Sequence, residues 1–139
     1  MTVAVHGASG RLGALIMAES AGMAVPIPRG AEVPECDVVI DVTSAQGLTE
    51  LIPRLSGQAL VVGSTGALPW GALEAYARTA SVVVVPNFSV GVPLLIELIR
   101  QAIPSLPPGW DIEVVEAHHH HKKDAPSGTA TRLVRAVTE

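Results

Sequence analysis

Residues 116–130 read Glu-Ala-His-His-His-His-Lys-Lys-Asp-Ala-Pro-Ser-Gly-Thr-Ala and gather four of the five histidines and both lysines of a 139-residue chain otherwise poor in charge. Imidazoles exchange protons near neutral pH, and a lysine ammonium donates a proton or holds an anion. Pro126 suits a first helical position, since its missing N–H would be unpaired there anyway. The spacing then puts the amides of Ser127, Gly128 and Thr129 in a first helical turn, without intrahelical partners and at the positive end of the dipole. That makes a seat for a carboxylate or phosphate. A small anionic substrate fits such a cluster better than a macromolecule does.

Two other uses of the histidine run compete with this one. A purification tag is usually terminal, whereas this run lies inside a motif that continues on both sides. A metal centre needs ligands that converge, which adjacent histidines do poorly, and no cysteine or second histidine group supplies more. No metal is expected.

Several elements must position the cluster. Apolar, strand-like residues from Ile112 to Val115 lead in, within a strand expected over Asp111 to Glu116. A helical pattern (Thr131, Leu133, Val134, Val137) leads out, so the polar residues fall on a strand-to-helix loop, where α/β folds carry their chemistry. Upstream, Thr2 to His6 predicts a strand that ends at Gly7-Ala8-Ser9-Gly10-Arg11-Leu12-Gly13, with a helix through Leu15, Ile16, Met17 and Ala21. A glycine-rich turn there lets backbone approach a pyrophosphate lying on the helix start; a tight turn with no ligand has the same appearance. Ala24 to Ile27 predicts a second strand ending in Pro28-Arg29-Gly30. An acid at that strand end would take ribose hydroxyls, whereas an arginine accommodates a 2′-phosphate. Arg29 points to NADPH or to use of both cofactors, with a solvated loop arginine as the alternative, and Glu32 lies a little beyond.

Ala31 to Glu35 leaves room for little besides a turn. Strands follow over Val38 to Val42, Gln58 to Val62 and Ser81 to Val85, with helical patterns over Gln46 to Leu55 and from Pro69 to Thr79, Leu73 and Tyr76 facing inward. Pro86-Asn87-Phe88-Ser89 is irregular, and Val90-Gly91-Val92-Pro93 leads into an apolar helix from Leu94 to Ile103. Alternating strands and helices predict an α/β fold with a parallel, doubly wound sheet and right-handed crossovers. At 48% hydrophobic and 3% aromatic, the core must be aliphatic, as buried parallel strands prefer.

A net charge of −4 with scattered arginines gives no footprint for nucleic acid. No run spans a bilayer, no signal peptide is apparent, and the single cysteine, Cys36, is expected to be a small buried apolar residue. A soluble, cytoplasmic protein is expected.

The segment Glu-Ala-His-His-x-x-Lys-x-Asp-Ala-Pro-Ser-Gly-Thr-Ala resembles the active-site segment of the dihydrodipicolinate reductase (4-hydroxy-tetrahydrodipicolinate reductase) family. Further along the same order, Gly10-Arg11-Leu12-Gly13, Asp41-Val42-Thr43, Gly63-Ser64-Thr65-Gly66 and Asn87-Phe88-Ser89-x-Gly91-Val92 are similar to the family's loops. The resemblance implies a Rossmann-like dinucleotide-binding domain over 1–88. A second, incomplete α+β substrate domain would begin at 89–139, the family's later strands lying beyond Glu139, to be supplied by a partner chain or by a longer polypeptide.

It further implies reduction of 4-hydroxy-tetrahydrodipicolinate to tetrahydrodipicolinate with NADPH and/or NADH, in lysine and diaminopimelate biosynthesis, by a homotetramer. His118 and Lys122 would be catalytic, and His119, Gly128 and Thr129 would bind the dicarboxylate. Gly7, Ala8, Ser9, Gly10, Arg11 and Leu12 would hold the pyrophosphate, and Arg29 the adenosine side. Gly63, Ser64, Thr65, Val85, Pro86, Asn87 and Phe88 would lie near the nicotinamide, the phenyl ring touching the cofactor. His120 and His121 are expected to be spectators or rim contacts. A noncatalytic dinucleotide-binding module and a different nicotinamide dehydrogenase remain as alternatives.

Overall fold

A computed structural model describes residues 1–85, 88–118, 120 and 125–138. The chain forms two compact units, Met1–Pro86 and Asn87–Glu139.

The first unit is an α/β layer structure built on five parallel strands: β1 (Val3–His6), β2 (Ala24–Ile27), β3 (Val38–Asp41), β4 (Ala59–Val62) and β5 (Val82–Val84). Their order across the sheet is β2-β1-β3-β4-β5. The chain therefore moves outward from β1 to β2, then crosses back over β1 to β3. Ligands of such sheets bind at the carboxyl ends of the strands where this reversal occurs. The crossover from β2 to β3 contains no helix, as the short Ala31 to Glu35 segment predicts.

Helices α1 (Arg11–Glu19), α2 (Ala45–Leu51) and α3 (Trp70–Tyr76) make the other connections. Leu48, Leu51 and Leu73 of α2 and α3 join Ala4, Val39, Leu60 and Val62 of the strands in one aliphatic core. Strand side chains alternate between faces, and Val5, on the opposite face, is also fully buried. The inner strand β1 is thus buried on both faces, as its continuous apolar run suits, whereas Val25 of β2 and Val83 of β5, on the edge strands, stay exposed.

Two helices are shorter than their periodicity predicts. The pattern expected over Gln46 to Leu55 is α-helical only to Leu51 and closes as a tighter 3-10 turn over Ile52–Arg54, with Pro53 in its first turn and no N–H to give. Helix α3 ends at Tyr76, whose hydroxyl donates to the Gln58 carbonyl at 2.7 Å. Ala21 lies outside α1, contrary to the helical pattern. It has a left-handed φ of 50° and is followed by Gly22, while the Ser20 hydroxyl bonds back to the Met17 carbonyl. Cys36 is half-buried against the core, and burial first, then the neighbouring Asp37 carboxylate, pushes its thiol pKa up.

In the second unit, α4 (Gly91–Ala102) continues into a 3-10 turn at Ile103–Ser105 and packs against α5 (Gly128–Thr138). Ile96, Ala130 and Ala136 are buried, whereas Leu94, Leu95 and Leu98 stay exposed. The strand expected over Asp111 to Glu116 does not form. Residues 111–118 carry no ladder among the described residues, and Val115 is 89% exposed. Strand propensity is realised only when a neighbouring strand takes the backbone groups.

The glycine turn and α1 approach each other closely. A methyl group on Gly13 would stand 2.0 Å from the Gly7 carbonyl oxygen, an impossible contact, while one on Gly71 in α3 would meet nothing within 4 Å. Gly13→Ala is expected to destabilise the protein by about 1–3 kcal/mol or more, although alanine is the better helix former. Gly71→Ala is expected to stabilise it by about 0.5–1 kcal/mol. Thermal unfolding followed by circular dichroism measures both, and a stabilised Gly13→Ala would contradict the packing described.

Candidate functional site

The glycine turn is built for close approach. Gly7 has φ 93°, which favours a residue without Cβ, and a side chain there would meet Thr43 Cγ2 at 2.9 Å and the Val42 carbonyl oxygen at 3.0 Å. The Gly10 amide donates to the Gly7 carbonyl at 2.9 Å, and Gly10 then caps α1 with extended backbone. Arg11 and Leu12 follow in the first turn, at the positive end of the helix dipole.

Beside this turn a cavity of about 610 Å³ opens, lined by Gly7, Ala8, Ser9 and Arg29 among others, with Ser44 and Glu50 opposite. Its size is that of a small-molecule site, roughly 300–1,000 Å³. Four of the residues expected to hold cofactor therefore share one concavity. Gly10, Arg11 and Leu12 are in the adjoining turn but not in the lining, and Glu32 is outside it.

The strand ends beneath the cavity carry a buried polar network that the sequence reading did not single out as a unit. His6 and Asp41 are register partners at the last positions of β1 and β3. Their side chains meet at 2.7 Å between His6 Nδ1 and Asp41 Oδ1. The Thr43 hydroxyl donates to the same Oδ1 at 2.7 Å, and the Ser64 hydroxyl donates to Asp41 Oδ2. Asp41 has no solvent exposure, and His6 and Ser64 have little. Asp41 and Thr43 thereby hold the start of the loop after β3 together. The Ser64 hydroxyl gives its proton to the carboxylate inside, and the residue is buried. Neighbouring Thr65 is exposed. The Gly63 amide donates to the Asp41 carbonyl and the Val85 amide to the Val62 carbonyl, each at 2.7 Å, extending the ladder into both loops. The overlooked signal was a histidine closing an apolar strand directly before a glycine turn.

In the second unit the helix start differs from its expected form. Helix α5 begins at Gly128, with Ser127 as its cap: the Ala130 amide donates to Ser127 Oγ at 3.0 Å. Pro126 therefore precedes the cap instead of opening the helix. The Ser127 amide, expected to be available to an anion, donates to Glu116 Oε1 at 2.8 Å. The expected seat therefore loses the Ser127 amide. The other carboxylate oxygen of Glu116 lies 3.6 Å from His118 Nδ1, so Glu116 links the histidine run to the helix start. His118 is partly exposed, and Phe88 is 42% exposed. His119, His121, Lys122, Pro86 and Asn87 lie outside the described residues.

Comparison with known proteins bears on both units. Residues 91–139 match the family model described as dihydrodipicolinate reductase, C-terminus. The chain is 41% identical over 150 residues to 4-hydroxy-tetrahydrodipicolinate reductase of Myxococcus xanthus, covering 97% of this chain and 55% of the relative. It is 44% identical over 131 residues to the enzyme of that name from Anaeromyxobacter dehalogenans, covering 91% and 48% respectively. The chain thus spans about half the length of these curated relatives. With the reductase of Xanthomonas euvesicatoria the identity is 37% over 163 residues, covering 98% of this chain and 68% of the relative. Similarity sustained across both units and in one order shows that the chain belongs to the 4-hydroxy-tetrahydrodipicolinate reductase (dihydrodipicolinate reductase) family.

Proposed function

We propose that this chain takes part in the nicotinamide-dependent reduction of 4-hydroxy-tetrahydrodipicolinate to tetrahydrodipicolinate. The observation that carries the reading is the glycine turn after β1, which has no room for a side chain at Gly7 and borders a cavity at the point where the strand order reverses. That turn suits a pyrophosphate, and the family's substrate segment follows in the same chain. NADPH or NADH would be held with its pyrophosphate on Gly7, Ala8, Ser9 and the start of α1, and its adenosine end beside Arg29. Gly63 to Thr65 and Val85 to Phe88 would border the nicotinamide. When bound, the reduced nicotinamide supplies a hydride.

The chain's own residues do the rest. Gly128 and Thr129, at the positive end of α5, would seat one carboxylate of the substrate, with His119 on the dicarboxylate. Loss of water from the substrate gives an unsaturated cyclic imine, and hydride addition at C4 pushes negative charge into the enamine system. His118 and Lys122 would stabilise that charge and return a proton. Glu116 orients this arrangement by tying the helix cap to the His118 side. The exposed leucines of α4 support burial of this unit against further protein surface, as in the tetramer implied by the family. The reaction implies a place in lysine and diaminopimelate biosynthesis, in the cytoplasm. A second reading, binding of dinucleotide without turnover, is favoured by the first unit having its own sheet, core and cavity.

Following cofactor oxidation by absorbance with freshly made substrate separates the two: turnover supports the first, and binding without turnover the second. Lys122→Ala is expected to lower kcat by about 10²–10⁴-fold while leaving cofactor affinity nearly unchanged; turnover at the unaltered rate would remove the assigned role. Arg29→Ala is expected to weaken NADPH binding by about tenfold, the loss of a charge-assisted hydrogen bond, with little effect on NADH. Equal losses for both cofactors would show that Arg29 does not meet a 2′-phosphate.

A further inference from the structure

His6 is not accounted for by the reading above, and its surroundings give it two distinct faces. Nδ1 is committed to the buried Asp41 carboxylate at 2.7 Å. A carboxylate only accepts, so Nδ1 carries the proton, and in the neutral ring Nε2 is then an acceptor. The ring is also part of the cavity wall, its side chain 10% exposed. Among the described residues no hydrogen bond to Nε2 is formed. Helix α2 packs beside the ring at Gly47, where a methyl group would stand 2.5 Å from the Thr43 hydroxyl and in ordinary contact, 3.6 Å, with His6 Cε1. Register places His6 beside Ile27, the last residue of β2, so the acceptor stands next to the strand end that leads to Arg29.

We propose that His6 is a ligand-contacting specificity residue, its Nε2 accepting a hydrogen bond from a ribose hydroxyl of a nucleoside diphosphate bound in this cavity. The assignment rests on the reading of the cavity as a dinucleotide site and adds an acceptor at the sheet edge, beside the end of β2. Dinucleotide sheets ordinarily place a carboxylate at the end of β2 to accept from the ribose. Here that strand end offers Pro28 and Arg29, neither of which has a side-chain acceptor. An imidazole locked by Asp41 supplies one from the neighbouring strand. Arg29 and Glu50 are the charged groups on the same cavity, and Glu50, from α2, already accepts from Gln46 Nε2 at 3.1 Å. Because Asp41, itself held by Thr43 and Ser64, fixes the ring before any ligand arrives, little ordering is required on binding.

The test compares ADP with 2′,3′-dideoxy-ADP, which lacks the ribose hydroxyls, by titration calorimetry on the unmodified protein and on His6→Asn. Asparagine can keep a donor towards Asp41 but has no atom in place of Nε2, so it separates the ligand contact from the buried one. Unmodified protein is expected to favour ADP by about five- to tenfold, the worth of one or two net hydrogen bonds. In His6→Asn that preference should shrink towards unity, with dideoxy-ADP affinity unchanged. Should the variant unfold, the ring nitrogens of His6 in the unmodified protein give a second readout by ¹⁵N NMR. Nε2 should shift on addition of ADP and not of dideoxy-ADP, and a shift with both or neither overturns the proposal. The same preference for ADP in both proteins would also overturn it and leave the dinucleotide reading standing. Failure of the unmodified protein to bind either nucleotide would overturn both.

Discussion

A carboxylate sealed from solvent is the constraint around which the upper edge of the sheet is arranged. Asp41 has no exposed surface, and a buried carboxylate persists only if its lone pairs are met. The donors come from three adjacent strand ends: His6 of β1, Thr43 just past β3, and Ser64 just past β4. Hydrogen bonds to a charged group contribute about 1.5–3 kcal/mol each, more than neutral ones. Their larger effect is geometric. Loops that leave neighbouring strands are tied to a single centre, so the glycine turn and the Gly63 loop cannot drift independently. A fold that does its chemistry at strand ends needs such a tie, since nothing in the sheet ladder itself fixes the loops beyond it.

The parallel sheet was legible in the sequence because short aliphatic runs, most of them bounded by glycine, proline or serine, alternate with helical patterns. The glycine turn was legible for a related reason: glycines at fixed spacing after a strand are demanded by steric contacts that Gly7 and Gly13 make. The 111–116 segment failed the same logic. Its valines and isoleucine have strand propensity, but propensity describes fit to a pleated surface, and no neighbouring strand is described there. The start of α5 was misplaced by two positions because proline is acceptable both inside and just before a helix start, and a sequence does not announce that Glu116 will reach across eleven positions to the Ser127 amide. His6 escaped notice because a single histidine ending an apolar strand is commonplace; only register with Asp41 gives it meaning.

The two units differ in how completely they satisfy themselves. In the first, aliphatic side chains from strands and helices close over one core. In the second, α4 and α5 bury Ile96, Ala130 and Ala136 while several large apolar side chains face outward. Two helices have too little surface to enclose their own leucines, so this unit is the part of the molecule whose stability depends on what it packs against.

The crossover from β2 to β3, which has no helix, has one more consequence. Without a helix there, the cavity's outer wall near Arg29 consists of loop backbone that turns at Gly30, with φ 75° and open space around it. A wall of that kind imposes little shape on a guest. Discrimination between nucleotides that differ only by a peripheral phosphate then falls to point charges rather than to steric exclusion, and charge at an open rim is attenuated by dissolved ions over about 8 Å at physiological strength.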